Sequence, residues 1–197
     1  NDIIDVYGAD TARWFMLSDS PPERDLQWTE TGIASSFKFI NKVWELVERL
    51  KDYTNDVNNI DMEEFKVLIN ETSNNIESFQ FNKAVAKIYE FVNLLNDNIN
   101  NYRISKSDYK NLIEKLAIIL QPFVPHLSEE IWFSVGNDGL CINQIWPVEK
   151  INQRNRKVNI AIQINGKTRS VIEVDKPEDK DGAIKIAKED TKILKYI

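Results

Sequence analysis

Few side chains in this sequence could carry covalent chemistry. There is one histidine, His126, and one cysteine, Cys141. A lone cysteine excludes a disulfide framework and a cysteine zinc site within the chain. A lone histidine leaves little for a catalytic dyad or a His-based metal centre. His126 stands in the run PFVPHLSEE, behind two prolines at an expected helix start. No nucleophile or acid signature accompanies it, so a structural or capping role is expected. Glu129 and Glu130 follow. Paired carboxylates can act as general acids, but at a helix N-terminus they complement the helix dipole. No Gly-rich phosphate loop and no HExxH run occurs.

Anion binding is better supplied. Residues 1–150 carry 14 Lys and Arg against 24 Asp and Glu, a net of −10. Residues 151–197 carry 11 against 7, a net of +4. A change of sign along a chain suggests two domains with different partners. In the basic segment Arg154, Arg156, Lys157, Lys167 and Arg169 flank an expected hairpin. Further back, Lys38, Lys42 and Arg49 fall near one side of an expected long helix. Such cations either contact phosphates or sit on a solvated surface, and charge alone leaves both open. Trp14, Trp44, Trp132 and Trp146 could stack on bases. Trp44 and Trp132, however, fall on apolar helical stripes, where core packing is expected. Asn runs such as Asn58-Asn59, Asn74-Asn75 and Asn100-Asn101 are dispersed among helical patterns. They read as AT-rich codon bias rather than an interaction tract.

The elements that hold these residues are mainly helical. Of 197 residues, 42% are hydrophobic and only six are Gly and six Pro, so most of the chain should be regular structure. Asp10 is expected to cap a helix from Thr11 to about Ser18, ended by Pro21-Pro22. Asp25 to Trp28 reads as a short extended connector. Thr29 then offers a cap for a helix to about Tyr53, with Ile33, Phe37, Ile40, Trp44, Val47 and Leu50 as its buried stripe. Asp61 starts a capping-box-like helix to about Ile76. A further helix runs from Phe81 to about Asn100, with Ala84, Val85, Ile88, Phe91, Val92 and Leu95 facing inward. Ser107 is expected to cap the next, with Leu112, Leu116, Ile119 and Leu120 inward. Pro125 suits the first turn of a helix to Phe133. Gly136 and Gly139 close a helix bundle with short connections.

Beyond Pro147 the character changes. Asn152 to Asn155 is polar and linker-like. Lys157 to Ile164 alternates as a strand, Asn165-Gly166 signals a hairpin, and Thr168 to Val174 returns. A two-residue loop would pair Ile162 with Arg169 and put the apolar faces out of phase. Register follows the buried face, so a three-residue loop with a bulge at Gly166 is expected. Gly182 to Ile197 reads as an amphipathic helix. The fold class expected is mainly α: a helix bundle followed by a small, truncated α+β domain.

Several runs together carry a resemblance. YGADTARWFMLSDSPPERDLQW (7–28), SFKFINKVWELV (36–47), FNKAVAKIYEFVNLL (81–95), QPFVPHLSEEIW (121–132), QIWP (144–147) and VNIAIQINGKTRSVIEV (158–174) stand in order along nearly the whole chain. They resemble the class I aminoacyl-tRNA synthetases, specifically the bacterial-type leucyl-tRNA synthetases, in the part after the KMSKS loop. The SPPE-aromatic turn and the NGKxR hairpin favour the leucine family over its valine and isoleucine relatives.

The resemblance implies a parent enzyme that uses ATP and Mg to attach leucine to tRNA(Leu) and edits mischarged tRNA. The HIGH, KMSKS and editing sites are not in this sequence, so the chain alone is expected to be inactive and to bind no cofactor itself. It implies a connection from the catalytic domain (1–28), a helical anticodon-binding-type domain (29–150), a linker (151–156) and the start of a C-terminal tRNA-binding domain (157–197). The expected partners are tRNA(Leu) and the remainder of the same polypeptide. The chain opens within a dense structural passage, so it is expected to be a piece of something longer. A monomer is expected. A lone thiol suits the cytoplasm, and no apolar run approaches the roughly 18 residues that span a bilayer. Two rivals stay open: the same region of a valyl- or isoleucyl-tRNA synthetase, and a helical protein-interaction module without RNA binding.

Overall fold

The structure, a computed structural model, describes residues 2–19, 25, 27–57, 59–151, 158–164, 167–174, 180–189 and 193. They fall into two compact units, 1–150 and 151–197. The first is all helical: α1 (Asp2–Tyr7), α2 (Ala9–Asp19), α3 (Glu30–Asp52), α4 (Met62–Glu77), α5 (Phe81–Asn100), α6 (Lys106–Leu120), α7 (Pro125–Ser134) and a 3-10 turn (Cys141–Asn143). The second pairs β1 (Val158–Ile164) with β2 (Lys167–Val174), followed by α8 (Lys180–Glu189). The fold is thus mainly α with one small antiparallel sheet among the described residues.

The core of the helical unit forms around Trp14, which is fully buried. Its ring stacks on Phe39 of α3 at 4.7 Å and meets Phe123 edge-on at 5.7 Å. Its indole N–H points to the Tyr89 hydroxyl of α5 at 3.4 Å. One side chain of α2 therefore touches α3, α5 and the turn before α7, and offset aromatic contacts of this kind add to area burial.

Local chemistry explains most helix ends. Thr29 caps α3 by accepting the Gly32 amide at 3.2 Å. Asp61 caps α4 by accepting the Glu63 amide at 2.9 Å. Pro125 occupies the first position of α7, where a missing N–H is harmless. α5 matches its expected bounds, and all six of its expected inward residues are buried.

Five expectations need correction. α2 begins at Ala9, so Asp10 lies inside its first turn and does not cap it. The buried face of α3 is Ile33, Ser36, Phe39, Val43, Leu46, Val47 and Leu50. Ile40 and Trp44 are only half-buried and Phe37 is exposed, with its ring against Tyr7. α3 packs against α1, α2, α6 and α7, so apolar residues surround more than one of its sides and two helical phases fit. Ser105 rather than Ser107 caps α6, accepting the Asp108 amide at 3.2 Å. α8 ends at Glu189. Of its expected continuation Ile193 is buried, and Leu194 and Ile197 lie outside the described residues.

The fifth concerns the hairpin. Ile164 pairs with Lys167, so the loop has two residues, not three. The extra residue sits in β2: Gln163 pairs with Thr168 and Ile162 with Ser170, leaving Arg169 as the bulge. Beyond it Ile160 pairs with Ile172 and Val158 with Val174. The apolar faces are in phase, as register demands, but the correction is made two residues after the turn. Ile172 and Ala187 are buried together, with Ile160 and Ile162 packed beside them.

Candidate nucleic-acid interface

In the helical unit the expected cations come together. Lys38, Lys42 and Arg49 lie at steps of four and seven on α3, so they share a face. With Asn41, Glu45 and Asn96 they line a groove of about 470 Å³ between α3 and α5. From Lys38 to Arg49 the groove follows α3 for roughly 16 Å at 1.5 Å per residue.

Two of these cations are oriented from the neighbouring helix. Lys42 Nζ donates to Asn93 Oδ1 at 2.7 Å. The Arg49 guanidinium donates to Asn96 Oδ1 at 2.9 Å and to Asn100 Oδ1 at 2.7 Å. Asn93, Asn96 and Asn100 stand three and four residues apart, one side of α5. Elsewhere in this unit lysines pair with carboxylates: Lys51 with Glu48, Lys66 with Glu63, Lys87 with Glu71 and Glu90, and Lys115 with Glu149. A carboxylate cancels the charge it holds. An amide oxygen orients a cation and leaves its charge intact. Glu45 in the same groove subtracts one charge, leaving an excess of two.

Of these three, Asn100 belongs to a run that the sequence explains as codon bias. The spacing of all three on α5 is visible in the sequence, but their partners lie about 50 positions away, as the Lys42–Asn93 separation of 51 illustrates.

In the second unit Lys167 is exposed at the start of β2 and Arg169, at the bulge, is half-buried. Arg154, Arg156 and Lys157 lie outside the described residues.

The side chains weighed for catalysis have structural partners. His126 Nδ1 is 2.8 Å from Asp10 Oδ1. Glu129 accepts the amides of Cys141 at 2.7 Å and Ile142 at 3.0 Å, and the Gln121 amide nitrogen at 2.5 Å. It holds the 3-10 turn in place, and Glu130 is exposed. Cys141 is buried. Burial, with Glu129 beside it, pushes its thiol up to about 11, so it is a poor nucleophile near neutral pH. Among the described residues no three His, Cys, Asp or Glu side chains group to hold a metal. None of the helices there is long and apolar enough to cross a membrane.

The model of the family described as "Anticodon-binding domain of tRNA ligase" matches residues 62–184. The chain is 39% identical to a leucine–tRNA ligase of Dinoroseobacter shibae, covering 99% of this chain and 23% of that protein. It is 37% identical to one of Jannaschia sp., covering 100% and 24%, and 34% identical to one of Ehrlichia ruminantium, covering 96% and 24%. The chain thus spans under a quarter of the length of these relatives. Its fold is similar to that in the crystal structure of the ternary complex of Agrobacterium radiobacter K84 agnB2 LeuRS, tRNA and LeuAMS. The TM-score is 0.76 at 22% identity, covering 99% of this chain and 26% of that one. On the extent of the family match, this chain belongs to the anticodon-binding domain family of tRNA ligases.

Proposed function

We propose that the chain is the tRNA-holding part of a leucine–tRNA ligase. The parent enzyme uses ATP and Mg to join leucine to tRNA(Leu) and edits mischarged tRNA. It acts as a cytoplasmic monomer, and its chemistry lies in the remainder of the polypeptide, so this chain alone is inactive. Identity to leucine–tRNA ligases along almost the whole chain supports the leucine assignment. In this reading 1–28 connects to the catalytic domain, 29–150 is the helical tRNA-contacting domain, 151–156 is a linker and 157–197 opens the C-terminal domain.

The observation that carries the reading is the set of amide-held cations in the α3–α5 groove. The helical unit has a net of −10, so RNA can approach only where positive charge is left uncancelled. Lys38, Lys42 and Arg49 would contact phosphates on this face, and Arg154, Arg156, Lys157, Lys167 and Arg169 would do so from the second unit. Such contacts position RNA by its backbone and shape without reading sequence. The catalytic benefit is an effective concentration of the tRNA 3′ end at a remote active site.

Salt-dependent binding of a tRNA(Leu) transcript tests this. Lys42→Ala with Arg49→Ala should weaken binding and flatten the log–log salt slope by about two contacts' worth. Lys167→Ala with Arg169→Ala should do the same independently. Unchanged slopes would assign each pair to solvation. No binding at low salt would favour a protein-interaction module. Equal affinity for valine and isoleucine tRNAs would show that these contacts hold tRNA without selecting among tRNAs.

A further inference from the structure

Three helices of the first unit end in the same backbone motif. After α7 the left-handed position is Gly136, at φ +84°, where glycine carries no steric penalty. After α4 it is Phe79, at φ 56°, and after α5 it is Tyr102, at φ 51°. Bulky residues are disfavoured there by steric strain. Both aromatic side chains are also exposed, Phe79 by 70% and Tyr102 by 69%. Their burial therefore does not explain why the strain is tolerated. Strain of this kind persists where the surroundings over-determine it, often at binding sites.

The surroundings of Tyr102 do so. Its amide donates to the Ile99 carbonyl at 3.1 Å and that of Arg103 to Asn98 at 3.0 Å. Asn55 Nδ2 donates to the carbonyls of Tyr102 and Ile104, each at 2.8 Å. The Tyr53 hydroxyl donates to the Ile104 carbonyl at 2.9 Å. The rings of Tyr53 and Tyr102 are within 8° of parallel, with centroids 6.1 Å apart.

Tyr102 shares a recess of about 330 Å³ with Arg49, Asp52, Tyr53, Thr54 and Asn100. Arg49 also lines the α3–α5 groove, and Asn100 is one of its amide partners. The recess is therefore the end of the cationic groove. Its chemistry differs from the groove's: Asp52 repels a phosphate, whereas its carboxylate, the Thr54 hydroxyl and an aromatic face suit a nucleobase.

We infer that Tyr102 is a stacking platform for an unpaired base of the RNA whose phosphates follow α3, with the amino edge of that base toward Asp52. The inference rests on the RNA reading of the groove. Phe79 supplies the control. It has the same backbone strain and exposure, but it lies before the other end of the 20-residue α5, roughly 30 Å away.

The test measures tRNA(Leu) transcript binding by the full 197-residue chain, together with melting temperature. Tyr102→Gly and Phe79→Gly should both hold or raise the melting temperature, because each relieves a left-handed side chain. Only Tyr102→Gly should lose affinity, by about 10-fold or more, with the salt slope unchanged because no phosphate contact is lost. Tyr102→Phe should bind like the parent chain. Full affinity in Tyr102→Gly, alongside loss in Lys42→Ala with Arg49→Ala, would overturn the platform and leave the groove standing. Unchanged affinity and slope in the Lys42 and Arg49 variant would overturn the groove reading itself. Absence of any tRNA binding by the parent chain would overturn both.

Discussion

Asp10 and His126 are separated by 116 positions in sequence and by 2.8 Å in space. The second Asp10 oxygen accepts the Leu127 amide at 2.7 Å. Val124, at the cap of α7, has no side-chain acceptor for these early amides, so α2 supplies one in trans. Arg13, one turn on, donates to the carbonyls of Phe123 at 3.1 Å and Pro122 at 2.8 Å. Charge at a helix N-terminus and a satisfied amide both stabilise. Asp10→Ala should therefore cost about 1–2 kcal/mol in urea unfolding. Asp10→Asn should recover part of it. No measurable cost for the alanine variant would show that the tie contributes nothing to stability.

Gly32 is where α2 meets the start of α3. A Cβ there would stand 2.4 Å from Phe15 Cε2 and 2.7 Å from Thr29 Oγ1. Alanine improves helix propensity by about 1 kcal/mol, yet the Phe15 ring is buried and packs edge-on with Trp28 at 4.9 Å. Overpacking of this kind costs about 1–3 kcal/mol. Gly32→Ala is expected to be net destabilising, and a rise in melting temperature would contradict this packing.

Alkaline pH should weaken the helical unit. Burial pushes the Cys141 thiol up to about 11 and also raises the Tyr109 hydroxyl, which donates to the Leu46 carbonyl. Both groups are neutral when protonated, and the fold favours that form. The unfolded chain releases these protons from about pH 8.5 for Cys and about 10 for Tyr. Stability is fully present below those values and falls as pH rises toward the folded-state values. In Cys141→Ala the decline should begin nearer pH 10, read from urea midpoints across pH 7 to 11. The same onset as in the parent chain would remove Cys141 as a cause.

The bulge makes a separate prediction. Deleting Arg169 removes the one residue that interrupts the ladder, and it leaves Ser170 opposite Ile162 and Ile172 opposite Ile160. NMR contacts between Ile160 and Ile172 should survive that deletion. Deleting Val171 instead also leaves Ile172 opposite Ile160 in an unbroken run, but it places Arg169 opposite Ile162, and the Ile160–Ile172 contacts should survive there as well. Loss in both variants would show that the bulge itself matters as much as the phase it restores.

Legibility in the sequence followed the range of the interactions. α5 could be bounded because its apolar stripe is regular and local. On α3 the expected Ile33, Val47 and Leu50 are buried, but the middle of the stripe is one residue out of phase, because Phe37, Ile40 and Trp44 are apolar too and only rings from other helices, Trp14 and Tyr89, select Phe39. Ser105 and Ser107 both suit a cap, and the amide that decides between them belongs to Asp108. The hairpin shows the same limit: alternation demanded one extra residue, and only the ladder reveals that it is Arg169. At the site, the shared face of Lys38, Lys42 and Arg49 followed from their spacing. Their asparagine partners did not, since a contact across two helices has no periodic signature.

Those partners bear on binding thermodynamics. A free lysine or arginine side chain loses about 0.5–1.5 kcal/mol when a ligand immobilises it. Lys42 and Arg49 are already held by Asn93, Asn96 and Asn100, so that entropy is surrendered when the chain folds rather than when a polyanion arrives. On the proposed tRNA reading the two helices thereby divide the work: α3 supplies charge and α5 supplies aim. Replacing Asn96 and Asn100 by alanine would leave the net charge of −6 untouched, yet association would then have to order the guanidinium itself.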